Sequence, residues 1–125
     1  MQIVMQITCF LHAAILVTDL EKAEQFYGGV LELQKIDRAL KFPGAWYEIG
    51  SFQIHLIVDT NIPSDIQNDE KWGRNRHLAF SIDSVTAAKE KLIAQGYPFQ
   101  MSASGRPALF VQDPDGNIIE LGEAA

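Results

Sequence analysis

The sequence predicts an α+β fold: two βαβββ modules in tandem, their strands forming a curved mixed sheet with the helices on its outer face. Three observations lead there. Apolar stretches of strand length are bounded by Gly, Pro, Asn and Asp turns. The order strand, helix, strand, strand, strand occurs twice along the 125 residues. A shift of 65 residues carries His12 onto His77 and His55 onto Glu120, so the chemically distinctive positions repeat with the pattern. Residues 1–125 are expected to form one domain, with module 1 at about 10–58, a linker over 59–76 and module 2 at about 77–122.

The elements follow in order. Met1 to Phe10 is mostly apolar, but no Lys or Arg precedes Lys22, so it lacks the basic start of a secretory signal. It reads as a strand or arm pairing with a sheet edge. Residues 10–17 form a buried strand, and Asp19 caps a helix from Leu20 to about Tyr27 that Gly28-Gly29 stops. Leu31 to Arg38, Ala45 to Ile49 and Phe52 to Val58 are strands, separated by turns at Pro43-Gly44 and Gly50-Ser51. The polar run from Asp59 to Arg76 has no sustained periodicity. Module 2 then repeats the order: strand His77 to Ile82, a helix capped by Asp83 or Ser84 and ended by Gly96, and strands at Pro98 to Ser102, Ala108 to Gln112 and Asn117 to Leu121. The turn Asp113-Pro-Asp-Gly116 makes a hairpin of the last two.

Composition narrows the partners. Lys plus Arg number 10 against 16 for Asp plus Glu, a net charge of −6, which excludes the clustered positive charge of a nucleic-acid footprint or a polybasic membrane patch. No stretch reaches the ~18 apolar residues of a membrane span. The single cysteine, Cys9, forms no internal disulfide and is expected as a buried thiol in a cytoplasmic protein. The expected partner is a small-molecule substrate.

Strand alternation places the four repeated residues on definite faces. His12 shares a face with Ala14 and Leu16, and His77 with Ala79 and Ser81, while Leu11, Ala13, Ile15, Val17 and Leu78, Phe80, Ile82 turn the other way, under the helices. Packed as pseudo-symmetric halves, the modules would aim His12, His55, His77 and Glu120 at one point. Three imidazoles and a carboxylate make a mixed nitrogen and oxygen site for a divalent first-row ion (Zn, Ni, Mn, Co or Fe), with positions left for substrate. A strand histidine can instead be a hydrogen-bonded structural residue; but a Glu within Asn-Ile-Ile-Glu-Leu121 is costly to bury without a partner. Arg38, Arg74, Arg76 and Arg106 are candidate anion contacts, with Arg106 able to close over a ligand and Arg76 pointing away from the metal. Trp46 and Trp72 could line a pocket, Trp46 more simply packing in the core or at a dimer contact. Glu48, on the Trp46 face, is a reserve proton carrier.

These residues resemble the vicinal oxygen chelate superfamily, which includes glyoxalase I, extradiol dioxygenases, methylmalonyl-CoA epimerase, fosfomycin-modifying enzymes and bleomycin-binding proteins. The resemblance spans residues 10–122 and is carried by His12 with Val17-Thr-Asp-Leu20, Phe26-Tyr27, Tyr47-Glu-Ile-Gly50, Ile54-His55-Leu56, His77-Leu-Ala-Phe80 and Asp113-Pro-Asp-Gly-Asn-Ile-Ile-Glu-Leu121. It implies a cup-like sheet with a metal inside and usually a homodimer. His12, His77 and Glu120 fall where the superfamily has its three commonest ligands. His55 stands where bacterial glyoxalase I has Glu and the epimerase Gln, and would be a ligand or an acid–base residue. Glyoxalase I moves protons on two metal-bound carboxylates, whereas this chain has one, Glu120, as the expected catalytic group. The resemblance implies a metal-dependent lyase, isomerase or oxygenase; the alternative is a metal-free, bleomycin-resistance-like binding protein.

Overall fold

The computed structural model describes residues 2–64 and 66–124; Met1, Asp65 and Ala125 lie outside the described residues. Module 1 consists of β1 (His12–Val17), α1 (Leu20–Glu24), a π-helical turn (Gln25–Val30), β2 (Gln34–Ile36), β3 (Gly44–Ile49) and β4 (Phe52–Val58). Module 2 consists of β5 (His77–Ile82), α2 (Val85–Gln95), β6 (Phe99–Met101), β7 (Ala108–Gln112) and β8 (Ile118–Glu123). Each module is a four-stranded mixed sheet, ordered β1-β4-β3-β2 and β5-β8-β7-β6. The first and last strands pair in parallel and the remaining pairs are antiparallel. The tandem α+β architecture is therefore as the sequence predicts, with the two sheets left open.

The core forms where the apolar faces of both sheets meet the helices. Tyr27, Tyr47, Phe26, Ile54, Leu56, Leu92, Leu109 and Ile119 are its largest fully buried side chains, drawn from both modules. Each contributes roughly 1.5–3 kcal/mol by leaving water. Close approach fixes Gly44: a Cβ there would meet the Leu56 carbonyl oxygen at 2.2 Å, so β3 can lie on β4 only with glycine.

Helix caps behave as expected. Asp19 Oδ1 accepts from the Lys22 amide at 3.1 Å, Ser84 rather than Asp83 caps α2 by accepting from the Ala87 amide at 3.1 Å, and Gly96 ends α2 at φ 78°. The expected stop at Gly28-Gly29 is not found. The chain instead widens into the π-helical turn that runs through both glycines, with the Leu31 amide donating to the Phe26 carbonyl at 2.9 Å. The orphaned carbonyls at its end are satisfied from module 2: Lys91 Nζ donates to Gly29 O at 3.0 Å, Val30 O at 2.7 Å and Glu32 Oε2 at 2.9 Å.

Of the two forms expected for the N-terminal segment, strand or arm, residues 2–11 do not form the strand; among the described residues the segment's backbone joins the sheet where Leu11 O accepts from the Gln53 amide at 3.0 Å. Cys9 is exposed rather than buried, because the segment carrying it leaves the core. Among the described residues no helix is long and apolar enough to cross a membrane.

The Asp113-Pro-Asp-Gly116 turn does more than close a hairpin. Gly116 sits at φ 85°, and the buried Asp113 accepts from the Asp115 and Asn117 amides, Asn117 Nδ2 and the Tyr27 hydroxyl (2.7 Å). Asp115 binds the Thr18 amide and hydroxyl, and Asn117 Nδ2 donates to Leu16 O. The turn thereby locks module 2 onto module 1. Burial raises the Asp113 carboxyl above its ordinary value, partly offset by these hydrogen bonds, and burial together with Asp113 pushes the Tyr27 hydroxyl well up.

Candidate metal centre

The parallel first-to-last strand pairing sets the site. In module 1, Ala14 lies opposite His55, which puts His12 and His55 on one face two residues out of step; in module 2, Ala79 lies opposite Glu120, and His77 and Glu120 stand in the same relation. The structure brings the expected ligands together as these two pairs. Among the described residues, no three His, Cys, Asp or Glu side chains gather closely enough to hold a metal. The ligand-bearing positions of the edge strands, His12, Ala14 and Leu16 on β1 and His77, Ala79 and Ser81 on β5, are all exposed.

The module 2 pair is polar and oriented. His77 Nδ1 lies 2.7 Å from the carbonyl of Asn75, which can only accept, so Nδ1 carries the proton. In the neutral ring, Nε2 then presents a lone pair to Glu120 Oε1 at 3.1 Å. Two acceptors at this separation need a cation or a proton between them. Two ligands at right angles on a first-row ion, each at ~2.1 Å, would stand ~3 Å apart, so the pair has the bite of a divalent ion. A histidine whose other nitrogen donates to a backbone carbonyl is also the usual orientation of a metal-bound imidazole. Arg106 Nη2 approaches Glu120 Oε2 at 3.3 Å, while its Nε donates to Ser104 Oγ at 3.1 Å, so this arginine contacts the carboxylate.

Asn75, within the linker expected over 59–76, organises this half. Its Oδ1 accepts from the amides of Gln67 and Asn68, and its Nδ2 donates to the carbonyls of Asn68 and Trp72. The linker is thereby folded into a loop that delivers the Asn75 carbonyl to His77. Phe110, beneath the short 3₁₀ turn Trp72–Arg74, supports the His77 ring edge-on at 5.4 Å. A Cβ on Gly73 would come within 2.6 Å of the Phe110 ring, so glycine allows that packing.

In the module 1 pair, the buried His55 ring is sandwiched between two others. His12 stacks on His55 at 4.0 Å, His55 on Trp46 at 3.7 Å, and the Arg38 guanidinium covers the far face of the indole at 4.2 Å. Trp46 lies directly across the β3–β4 ladder from His55, which places it at the site rather than in the general core. His55 Nε2 lies 2.8 Å from Gln53 Oε1, two residues earlier on the same strand face. Burial, with His12 and Arg38 adding repulsion, lowers the His55 pKa below its ordinary value, keeping the ring neutral and able to donate a lone pair. Glu48 is exposed, facing Gln53 across the ladder. The sequence signal for Gln53 is its position two residues before His55 on one strand face, whereas the pairing of Trp46 with His55 needs the ladder register.

Between the modules, a cleft of about 470 Å³ is lined by Ala14, Leu16, Ile66, His77 and Ile118. Of the four expected ligands, His77 alone borders it, so the cleft lies beside the pairs rather than joining them.

The profile of the Glyoxalase/Bleomycin resistance protein/Dioxygenase superfamily matches residues 10–121. The mitochondrial methylmalonyl-CoA epimerase of Homo sapiens is 28% identical, over 90% of this chain and 72% of the epimerase. The lactoylglutathione lyase of Salmonella typhimurium is 26% identical, over 91% of each chain. A glyoxalase/dioxygenase structure from Nostoc punctiforme shares the fold with a TM-score of 0.76 and 20% identity, covering 98% of this chain and 99% of that one. With this match over nearly its whole length and the duplicated βαβββ architecture, the chain belongs to the glyoxalase/bleomycin resistance protein/dioxygenase superfamily.

Proposed function

We propose that this protein is a metal-dependent enzyme, a lyase, isomerase or oxygenase, acting on a small substrate that presents two neighbouring oxygens. His12, His55, His77 and Glu120 would hold a divalent ion. The carrying observation is the module 2 pair, where His77, oriented through Nδ1 by the Asn75 carbonyl, places Nε2 3.1 Å from a Glu120 carboxylate oxygen. When bound, the ion would supply Lewis-acid polarisation of the substrate oxygens.

The remaining work falls to the chain's own groups. Glu120 is the proton carrier, moving the proton at Oε2, the oxygen turned to Arg106. Arg106, more than half exposed, can hold that carboxylate or meet negative charge on the substrate. Trp46 and Arg38 keep the His55 ring flat against His12 and exclude water from that side. Proton transfer fits the relatives: an epimerase acting on methylmalonyl-CoA must remove and return a proton beside a carbonyl.

The two pairs do not meet within one chain, and the edge-strand member of each, His12 and His77, is exposed. We assign the complete site to a homodimer, in which the His12–His55 pair of one copy meets the His77–Glu120 pair of the other. A two-fold axis would create two such sites at once. A second reading, a metal-free binding protein, is favoured by the absence of a three-ligand cluster among the described residues of one chain.

Metal analysis of protein prepared without a polyhistidine tag separates the two. The enzyme reading expects close to one divalent ion per chain, lost in His77→Ala. Less than about a tenth of an equivalent, unchanged by that substitution, would favour the binding protein.

A further inference from the structure

The segment of residues 2–11 has no role in the site as described, and its chemistry is unlike that of a solvated tail. It contains no charged residue, and Ile3, Val4, Met5, Ile7, Phe10 and Leu11 are 62–88% exposed. Ile3, Met5, Ile7, Cys9 and Leu11 fall at every second position, so in an extended chain they share one face. Within this chain the segment finds little cover: Phe10 lies 4.6 Å from Phe52, and Leu11 O holds the Gln53 amide.

We propose that residues 2–11 form an arm that packs onto module 2 of a second copy of this chain, each copy covering the other. At roughly 120 Å² of exposed apolar surface each, Ile3, Met5, Ile7 and Leu11 on the shared face offer on the order of 500 Å², more than half of the ~800 Å² per partner of a standard interface. The arm is also rooted in the right place. Leu11 directly precedes His12, so the arm leaves its own module at the pair that, on the reading above, meets the partner's module 2. Ten extended residues span about 33 Å, enough to cross a four-stranded sheet at ~4.8 Å per strand. Among the described residues their backbone groups before Leu11 have no partner, which leaves them able to add to an open sheet edge there. A lipid surface fits less well, because the arm lacks the basic residues that would hold it to anionic headgroups.

The inference rests on the two-copy site, and the test separates the two claims. Cys9, the sole cysteine and exposed, accepts a benzophenone maleimide, and equal amounts of ¹⁴N and ¹⁵N chains are mixed before illumination. Expected are adducts between isotopically different chains, on residues 77–123. In sedimentation, a chain lacking residues 1–9, which keeps Leu11 and its bond to Gln53, should dimerise at least tenfold more weakly. Ile3→Gln/Ile7→Gln at full length should behave alike, with circular dichroism unchanged. Adducts confined to one chain, or a shortened chain that dimerises as tightly as the full one, would overturn the arm. Recovery of a monomeric full-length chain, but not the shortened one, on phosphatidylcholine vesicles would overturn it in favour of lipid. Mixing His12→Ala with His77→Ala chains reads the site independently. Metal binding restored with shortened chains sinks the arm alone if those chains dimerise as tightly as full-length ones. Interchain adducts without restored binding support the arm and sink the cross-chain site.

Discussion

In module 1, His12 stands two positions before the Ala14 that faces His55; in module 2, His77 stands two positions before the Ala79 that faces Glu120. The backbones are equivalent and the surroundings are not. The His12–His55 pair lies in a stack continued by Trp46 and Arg38, with contact made through ring faces. The His77–Glu120 pair is held by directional hydrogen bonds, one from His77 to the Asn75 carbonyl and one from Arg106 to Glu120. The donor positions thus repeat between the modules, while the neighbouring strands and linker give them different surroundings: ring faces around His55 in one half, hydrogen-bonding groups around His77 and Glu120 in the other.

The largest effects should fall on module 2. Glu120→Gln is expected to lower turnover by about 10²–10⁴-fold, the usual range for losing a positioned base. His55→Gln, which keeps a neutral donor at that point, should cost no more than about tenfold. Steady-state kinetics on a substrate found by screening hemithioacetals, catechols and 2-substituted acyl thioesters makes the comparison, and equal losses would erase the division of labour.

A step smaller is Asn75→Ala. It leaves every proposed ligand in place but frees the loop that aims the carbonyl at His77, and should weaken metal binding by about 10–100-fold in competition titrations. An unchanged affinity would mean that His77 needs no orientation. Tyr27→Phe tests the lock between modules: losing its bond to Asp113 should cost about 1–2 kcal/mol in denaturant unfolding, with metal content unaltered.

The smallest effect concerns the stack. The lowered pKa of His55 means that its folded ring resists protonation, so its contribution to stability is present above the ordinary histidine pKa and fades as the pH falls through the lower, folded value. Arg38→Met removes one source of repulsion and should move the metal-free His55 titration upwards by NMR. It should remain below its ordinary value, because burial is the larger cause. A titration unmoved by the substitution would show that Arg38 does not act on the ring electrostatically.

Much of the frame was legible because the chemistry of strands is local. Phe52–Val58, His77–Ile82 and Ala108–Gln112 have the predicted bounds, since apolar alternation and flanking turn residues mark them directly. The 65-residue repeat likewise corresponds to equivalent ladder positions of His12 and His55 in module 1 and of His77 and Glu120 in module 2. What escaped depends on groups far along the chain. Gly28-Gly29 look like a stop, but Lys91 caps the carbonyls there and lets a π-helical turn continue. Trp46 reads as core until ladder register sets it against His55, and Asn75 reads as linker until its side chain is seen gathering the loop. The alternation in residues 2–11 is a true strand signal without a strand in this chain.

The central claim, one metal site built from unlike pairs on two copies, is tested most directly by mixing two inactive variants. His12→Ala and His77→Ala chains should each bind less than a tenth of an equivalent of metal alone. After unfolding and refolding together, their heterodimers should regain one intact site in two, from His12–His55 of one chain and His77–Glu120 of the other. If no metal binding returns although heterodimers form, the ligands of each site do not come from two chains and the account is wrong.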